Sequence, residues 1–333
     1  MTNSTPDTPP LRLGTRRSKL ATVQAQWVAD EITAATGRPV RLVPLSSAGD
    51  ESSAPIATFG STGVFVTALR DALLRGEVDF VVHSFKDLPT APEPGLRLAA
   101  VPVREDPRDA LVWRDGEIRP AAVPAGTRIG TGSPRRGAQL LALAPDVEVV
   151  PVRGNVDSRL AMVTSGALDG VVLATAGLAR LGLLSPAVTP IPADTLVPAP
   201  AQGALAVECR AGDDAVAAVL ARIDHAPTRT VVDAERTVLR ELDAGCTAPV
   251  GAYAEWVSGG DARRLRLTGM VAAPDGSAVL RRSATGTGDA PADLGGRVAA
   301  ALLAAGAATV LGAASPHGTP ADPRTPPRVP QPH

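Results

Sequence analysis

A lone thiol, Cys246, sits in the stretch AGCTAPVGA (residues 244–252), at the turn between a helix and a strand. A cysteine there can pack into a core, close a disulfide, ligate a metal, attack an electrophile or anchor a covalent group, and its neighbours alone do not decide which. A second cluster, HSFKDLPT (83–90), places His83, Ser84, Lys86 and Asp87 at the exit of the apolar run VDFVV. An aspartate at a strand end facing a cleft can hold a cationic nitrogen or shuttle its proton; beside a lysine it can equally be a surface ion pair.

Arginine marks three strand-to-helix turns: Arg16 and Arg17 before Ser18, Arg135 and Arg136 after Ser133-Pro134, and Arg153 before Gly154-Asn155. Free N–H groups and the positive dipole end at a helix start, joined to a guanidinium, suit a carboxylate or a phosphate. A solvated turn arginine is the plainer reading of any one of them, but three together point to an anion. Neither GxxxxGK[ST] nor a strand-to-helix GxGxxG is present, so a nucleotide is not that anion by motif. The segment REDPRDALV (104–112) adds Arg104, Asp106, Arg108 and Asp109, which also reads as a salt-bridged connector between two units.

Metal binding finds little support. The histidines are His83, His225, His317 and His333, and neither Cys209 nor Cys246 has CxxC or CxH spacing. Cys209, in apolar ALAVEC, reads as a packed strand residue. A nucleophile pair of Cys246 with His83 or His225 stays open on spacing alone. Lys19 and Lys86 are the only lysines against 31 arginines, so a lysine that persists, Lys86 above all, draws attention as chemically required.

The elements that must position these residues follow from periodicity. LRLGT (11–15) reads as a strand, 18–35 as an amphipathic helix closed by Gly37, 40–45 as a strand, VFVTALRDALLRG as a helix and 78–84 as a buried strand. The stretches 128–133, 147–152 and 170–177 are strand-like and alternate with PRRGAQLLALA and NVDSRLAMVTSG, which are helical. Two α/β units with mainly parallel sheets are expected. Helix 227–244, three strand-like runs and a helix near 292–312 suggest a small α+β third domain. No internal repeat is evident. Residues 1–10 and 314–333 are Pro-rich tails.

The bulk numbers narrow the class. A net charge of −1 and 2% aromatic residues argue against a nucleic-acid surface working by broad electrostatics and stacking, so anions are bound locally. With no basic and apolar leader and no long apolar run, a cytoplasmic protein free of the membrane is expected, where two cysteines do not suggest a structural disulfide.

Taken in order, HSFKDLPT, REDPRDALV, GTGSPRR, RGNVDSRL, ATAGLARLGL, PAPAQGALAVECR and AGCTAPVGA resemble the porphobilinogen deaminase (hydroxymethylbilane synthase) family over roughly residues 11–312. The resemblance implies a transferase that condenses four porphobilinogen molecules head to tail, releasing ammonia, on a dipyrromethane cofactor held through a thioether by Cys246. It implies Asp87 as the catalytic carboxylate, with Lys86, Ser84, Thr131, Ser133, Arg135, Arg136 and Arg159 toward the cofactor and Arg16, Ser18, Arg153, Arg104 and Gln202 toward the substrate. Gln202-Gly203 matches the family's hinge segment.

The implied fold is two periplasmic-binding-protein-like α/β domains, 11–103 with 204–222 and 104–203, plus an α+β domain, 223–313. A monomer is implied, its linear product passing to uroporphyrinogen-III synthase. Three departures stand out: Thr58 and Thr62 where many members have lysine, Gly132 where serine is common, and Lys19 where an uncharged residue is usual.

Overall fold

The structure is a computed structural model that describes residues 9–45, 63–245, 248–257 and 263–312. Cys246, Thr58, Thr62 and most of both tails lie outside the described residues. The chain opens with strand β1 (Leu11–Arg16), helix α1 (Lys19–Thr36) and strand β2 (Val40–Leu45). Helix α1 starts where the Ser18 hydroxyl accepts the Ala21 N–H and stops at Gly37, whose φ of 69° suits a residue without Cβ. Its buried face, Gln24, Ala25, Val28, Ala29 and Ile32, has the helical period. Helix α2 (Gly63–Leu74), β3 (Phe80–Ser84), a 3₁₀ turn (Phe85–Asp87) and β4 (Leu96–Ala100) follow.

The chain then crosses to a second sheet: β5 (Asp109–Trp113), β6 (Arg128–Thr131), α3 (Pro134–Leu143), β7 (Glu148–Pro151), α4 (Val156–Thr164), β8 (Gly170–Ala174), α5 (Thr175–Arg180) and β9 (Val188–Pro190). It returns as β10 (Leu205–Arg210), followed by α6 (Asp214–Leu220). Strand orders are β2-β1-β3-β10-β4 and β7-β6-β8-β5-β9. The expected parallel sheets are therefore mixed: β10 runs antiparallel to β3 and β4, and β5 antiparallel to β8 and β9. A strand that enters its sheet from the carboxyl-end side, where the crossing segments lie, must run against its neighbours. The two sheets also repeat one topology that the sequence does not reveal. The strand-like run 170–177 ends at Ala174, and its remainder begins α5.

The crossing segments, 101–108 and 191–204, lie against each other. The Glu105 N–H donates to Gly203 O at 3.3 Å, and Gly203, at φ +87°, has no room for a Cβ against the Glu105 carbonyl. Ala201 takes a left-handed φ of 63° without being glycine, and its N–H donates to Glu235 at 2.7 Å.

Glu235 belongs to α7 (Ala226–Glu241), which precedes the antiparallel sheet β11 (Val250–Trp256), β12 (Arg264–Ala272) and β13 (Val279–Thr287). Helices α8 (Pro291–Ala304) and α9 (Ala307–Gly312) close the described chain, the expected single helix being broken at Gly306 with φ 95°. Val231, Val238 and Leu239 of α7 share one apolar core with Phe85, Leu88 and Val101 of the first lobe. Toward the second lobe the contact is smaller: Met270 and Ala272 meet Ala138 and Val197, and Gly276 lies tightly against Leu141 and Ala142 of α3.

Glu235 is fully buried and accepts two bonds from Arg104 (2.8 and 2.9 Å), one from Ala201 N and one from Ala254 N. One carboxylate thus joins both crossing segments to the third sheet. Glu235→Ala should destabilise the fold by about 3–5 kcal/mol, because it strands a buried guanidinium and two N–H groups. Urea titration of the purified variant tests this, and an unchanged midpoint and slope would show that the junction does not depend on Glu235.

Candidate functional site

The residues that the sequence singles out gather at the carboxyl ends of the parallel strands, where open α/β sheets present ligand sites. Arg16 ends β1, and the half-buried Ser18 caps α1. Ser84 ends β3, and its hydroxyl donates to Gln24 Oε1 of α1 at 3.2 Å. Lys86 and Asp87 occupy the 3₁₀ turn that follows. In the second lobe Thr131 ends β6 and accepts the Ser133 N–H at 3.2 Å, and Arg135 and Arg136 lie in the first turn of α3. Ser133 takes the N-cap place expected of it, with Pro134 next, but its side chain makes no capping bond. Asn155 does cap α4, accepting the Ser158 N–H at 2.8 Å. Arg153 is exposed just before it.

The two lobes face each other at these ends. Lys19 Nζ at the start of α1 lies 3.8 Å from Asp157 in the first turn of α4, which sets the Arg16–Ser18 turn opposite the Arg153–Asn155 turn. The unusual Lys19 thus has a partner across the cleft. Gly132 has a local reason too: a Cβ there would run into the Val152 carbonyl.

At the back of the cleft lies a buried carboxylate. Asp109, fully enclosed, accepts from Arg135 Nη1 at 2.7 Å, Arg136 Nε at 2.8 Å and Gln202 Nε2 at 2.8 Å. Burial alone would raise its pKa, but Arg135 and Arg136 outweigh that and hold it well below the usual carboxylate range. Arg135 also donates to Val197 O, and Arg136 to Val172 O and Gln202 Oε1. Much of the donor capacity of these two arginines is spent inside the protein, so they are fixed charges bordering the cleft rather than free arms.

Gln202 is likewise engaged at both ends of its amide. Nε2 donates to Pro107 O and Asp109, and Oε1 accepts from Arg136 and from Lys86 Nζ, each at 3.3 Å. Arg104 is committed to Glu235 and Gln202 O. The structure places Arg104 and Gln202 at the junction between the lobes, where these bonds tie them to the crossing segments. Of REDPRDALV, residues 104–108 form the salt-bridged connector that its charges suggest, Arg108 pairing with Asp106 at 2.6 Å, while residues 109–112 belong to the buried strand β5.

Other cations are less satisfied. Burial, then repulsion from Arg136, pushes the Lys86 ammonium down to about 8 against the attraction of Asp87 and Asp109. Arg159 Nε is buried without a partner, and burial followed by Arg136 lowers its pKa. Arg180, missed in the sequence, donates to Gly203 O at 2.7 Å and is lowered by burial to about 10. It is a lone charge in the otherwise apolar GLARLGLL, which was the available signal. Cys209 is buried in β10 as expected, its thiol raised by burial. His83 lies 3.2 Å from Glu208, which also binds Arg70, so β3 carries it into a buried charge cluster. No group of three or more metal-ligating side chains occurs among the described residues.

Under-compensated cations around one half-buried aspartate fit a ligand with several carboxylates. Residues 11–218 match the family described as porphobilinogen deaminase, dipyromethane cofactor binding domain, and 230–304 match its C-terminal domain. The chain belongs to the porphobilinogen deaminase family. It is 56% identical to porphobilinogen deaminase 1 of Streptomyces avermitilis, over 91% of this chain and 97% of that one. It is 56% identical to the porphobilinogen deaminase of Thermobifida fusca, over 84% and 87%. A solved ancestral cationic amino acid solute binding protein overlaps 68% of this chain and 93% of its own at 17% identity, with a TM-score of 0.39, too slight a likeness to carry weight.

Asp109→Ala should cost about 3–5 kcal/mol by leaving two guanidiniums buried without their anion. Because the folded Asp109 pKa is depressed, its contribution is present above the unfolded value near 3.9 and fades only as pH falls well below it. Denaturation at pH 7 and pH 5 should therefore show the same loss for this variant, and a loss that vanishes at pH 5 would contradict the assignment.

Lys86, lowered to about 8 from 10.5, is cationic below that pH and neutral above it. Its burial penalty is accordingly relieved as pH rises from about 8 toward 10.5, and anion affinity falls over the same range. With two lysines in the chain, ¹³C-lysine NMR of unprimed protein resolves it directly, the Lys86→Arg variant giving the assignment. Titration at the ordinary lysine value would remove the claim.

Proposed function

We propose that this protein is a hydroxymethylbilane synthase: a transferase that joins four porphobilinogen molecules head to tail on a dipyrromethane primer, releasing one ammonia per unit, and then frees the linear tetrapyrrole from the primer by hydrolysis. The observation that carries the reading is a cleft in which Lys86 and the partnerless Arg159 Nε stand near Asp109-bound Arg136, with Asp87 in the same turn as Lys86. Each pyrrole of such a chain bears an acetate and a propionate, so the ligand is a polyanion with N–H donors along its spine. The donor set fits it.

Cys246 would hold the primer through a thioether, and the primer would supply a free pyrrole α-carbon as the nucleophile for the first addition. The protein's own groups do the rest. Asp87 accepts the pyrrole N–H groups, gives a proton toward the departing amine and offsets the positive charge that develops on the ring. Lys86 and Arg159, with Ser84, Thr131 and Ser133 as polar neighbours, hold primer carboxylates. Arg135 and Arg136 act as fixed positive charge there. Arg16, Ser18 and Arg153, on the facing turns, take the incoming substrate. Arg104 and Gln202 serve by holding the crossing segments.

We assign the domains as 11–103 with 204–222, 104–203 and 223–313, the protein acting as a cytosolic monomer whose product passes to uroporphyrinogen-III synthase. Among the described residues no helix is long and apolar enough to cross a membrane.

Intact mass tests the core of this reading. Wild type should carry an increment of two linked pyrroles on Cys246, absent from Cys246→Ser. A wild type that stays unmodified after incubation with porphobilinogen or preformed hydroxymethylbilane would overturn it. Asp87→Asn keeps the shape and removes the charge, so it should retain the primer while turnover falls by about 100-fold or more. Full turnover in that variant would exclude the role given to Asp87.

A further inference from the structure

The turn that carries Lys86 and Asp87 is too short to hold itself. It spans Phe85–Asp87 and contains one internal backbone bond, Leu88 N–H to Phe85 O at 3.2 Å. Such a turn has poor hydrogen-bond geometry and no cooperativity to draw on. Its own lobe adds the Phe85 N–H bond to Ala204 O at 3.0 Å. The side chains at its centre add little: Lys86 makes a long bond, 3.3 Å, to Gln202 Oε1. The orientation of Asp87 is therefore set by the backbone, and the backbone needs an outside clamp.

Helix α7 provides one. Arg236 Nη1 donates to Phe85 O at 3.2 Å and Leu88 O at 2.9 Å, and Nη2 donates to Pro89 O at 2.6 Å. Its guanidinium carbon also lies 4.4 Å from the centroid of the Phe85 ring. The three carbonyls flank Lys86 and Asp87 on both sides. Only a planar fork of donors meets three divergent carbonyls while stacking on a ring. We propose that Arg236 is a positioning residue for the reaction, holding the Phe85–Pro89 backbone so that Asp87 and Lys86 point into the cleft.

The neighbouring Glu235 holds the crossing segments, so successive residues of α7 fix the hinge and the catalytic turn separately. The position of Asp87 thus depends on the third sheet domain as well as on its own lobe. The inference rests on the transferase reading and adds to it a residue outside the anion-binding set.

The test compares wild type, Arg236→Met and Arg236→Lys as primed enzymes. Arg236→Met keeps the stem and removes every donor; Arg236→Lys keeps a charge that can reach some of the carbonyls. Misplacement of a reacting group by about 1 Å can cost 100-fold, so kcat of Arg236→Met should fall at least tenfold while KM changes little, with the primer mass retained. Arg236→Lys should recover part of kcat.

A readout apart from turnover is the ¹³C-lysine titration of unprimed protein. Arg136, Arg135, Asp87 and Asp109 are the charges acting on Lys86, and its burial depends on the turn. In Arg236→Met its midpoint should move up from about 8 toward the ordinary 10.5 as water reaches the ammonium. A wild-type kcat with an unmoved Lys86 midpoint would reject the positioning role. So would a drop in melting temperature with normal kcat per primed molecule, which marks plain domain adhesion. Should Arg236→Met not fold, Phe85→Leu removes the stacking surface and leaves the donors; it should lower kcat and raise the Lys86 midpoint in the same sense, and no change in either would reject the role. A wild type that turns over no porphobilinogen would instead sink the transferase reading.

Discussion

The burial of the Asp109 carboxylate between Arg135, Arg136 and the Gln202 amide is the constraint around which the rest of the structure is arranged. A charge removed from water is tolerated only when its hydrogen-bonding capacity is filled by partners of good geometry. Filling it draws together the start of β5, the first turn of α3 and the returning crossing segment. Because Gln202 Oε1 also meets Lys86, the network reaches into the first lobe. The fold thereby places fixed positive charge at the back of the cleft, and its own anion sits behind that charge, away from where a ligand would lie.

A near-neutral protein can bind a polyanion when its charges are sorted by place rather than by number. The buried acids lie behind or outside the cleft: Asp109 under α3, Glu235 in the junction, Glu208 beneath β3. The cations left short of partners are Lys86, in the turn after β3, and Arg159, on α4. Burial makes each of them costly to charge, as the lowered Lys86 and Arg159 show, and an incoming carboxylate relieves that cost. The same sorting gives Asp87 a distinct position: no described residue is seen to satisfy its carboxylate, so a ligand N–H meets an acceptor with open capacity.

The third sheet domain is more than an appendage. It shares a core with the first lobe, touches the second through a hairpin tip and a small apolar patch, and sends Glu235 and Arg236 to the two places where the lobes are least self-supporting. Ala201 in a left-handed conformation, pinned by Glu235, shows how much the crossing depends on that support.

Much of this was legible in the chain. The short apolar run of β1, the period of 3.6 in α1, the caps Ser18, Gly37 and Asn155, and the arginines before helix starts are local features that need no partner. Residue types also announced an anion, and the motif order announced the family. What stayed hidden was which cation meets which anion. Arg135 and Arg136 look alike as ligand arms or as partners of Asp109, and Arg104 looks like a cleft residue until Glu235, 131 positions later, claims it.

The reversed strands β5 and β10 are buried apolar runs like β3 and β8, and such a run records burial and not direction. Sequence by itself determined the elements and the chemistry on offer, because those depend on neighbours a few residues apart. Only the tertiary structure decided which charges are spent and which remain open, because that depends on where the chain crosses itself.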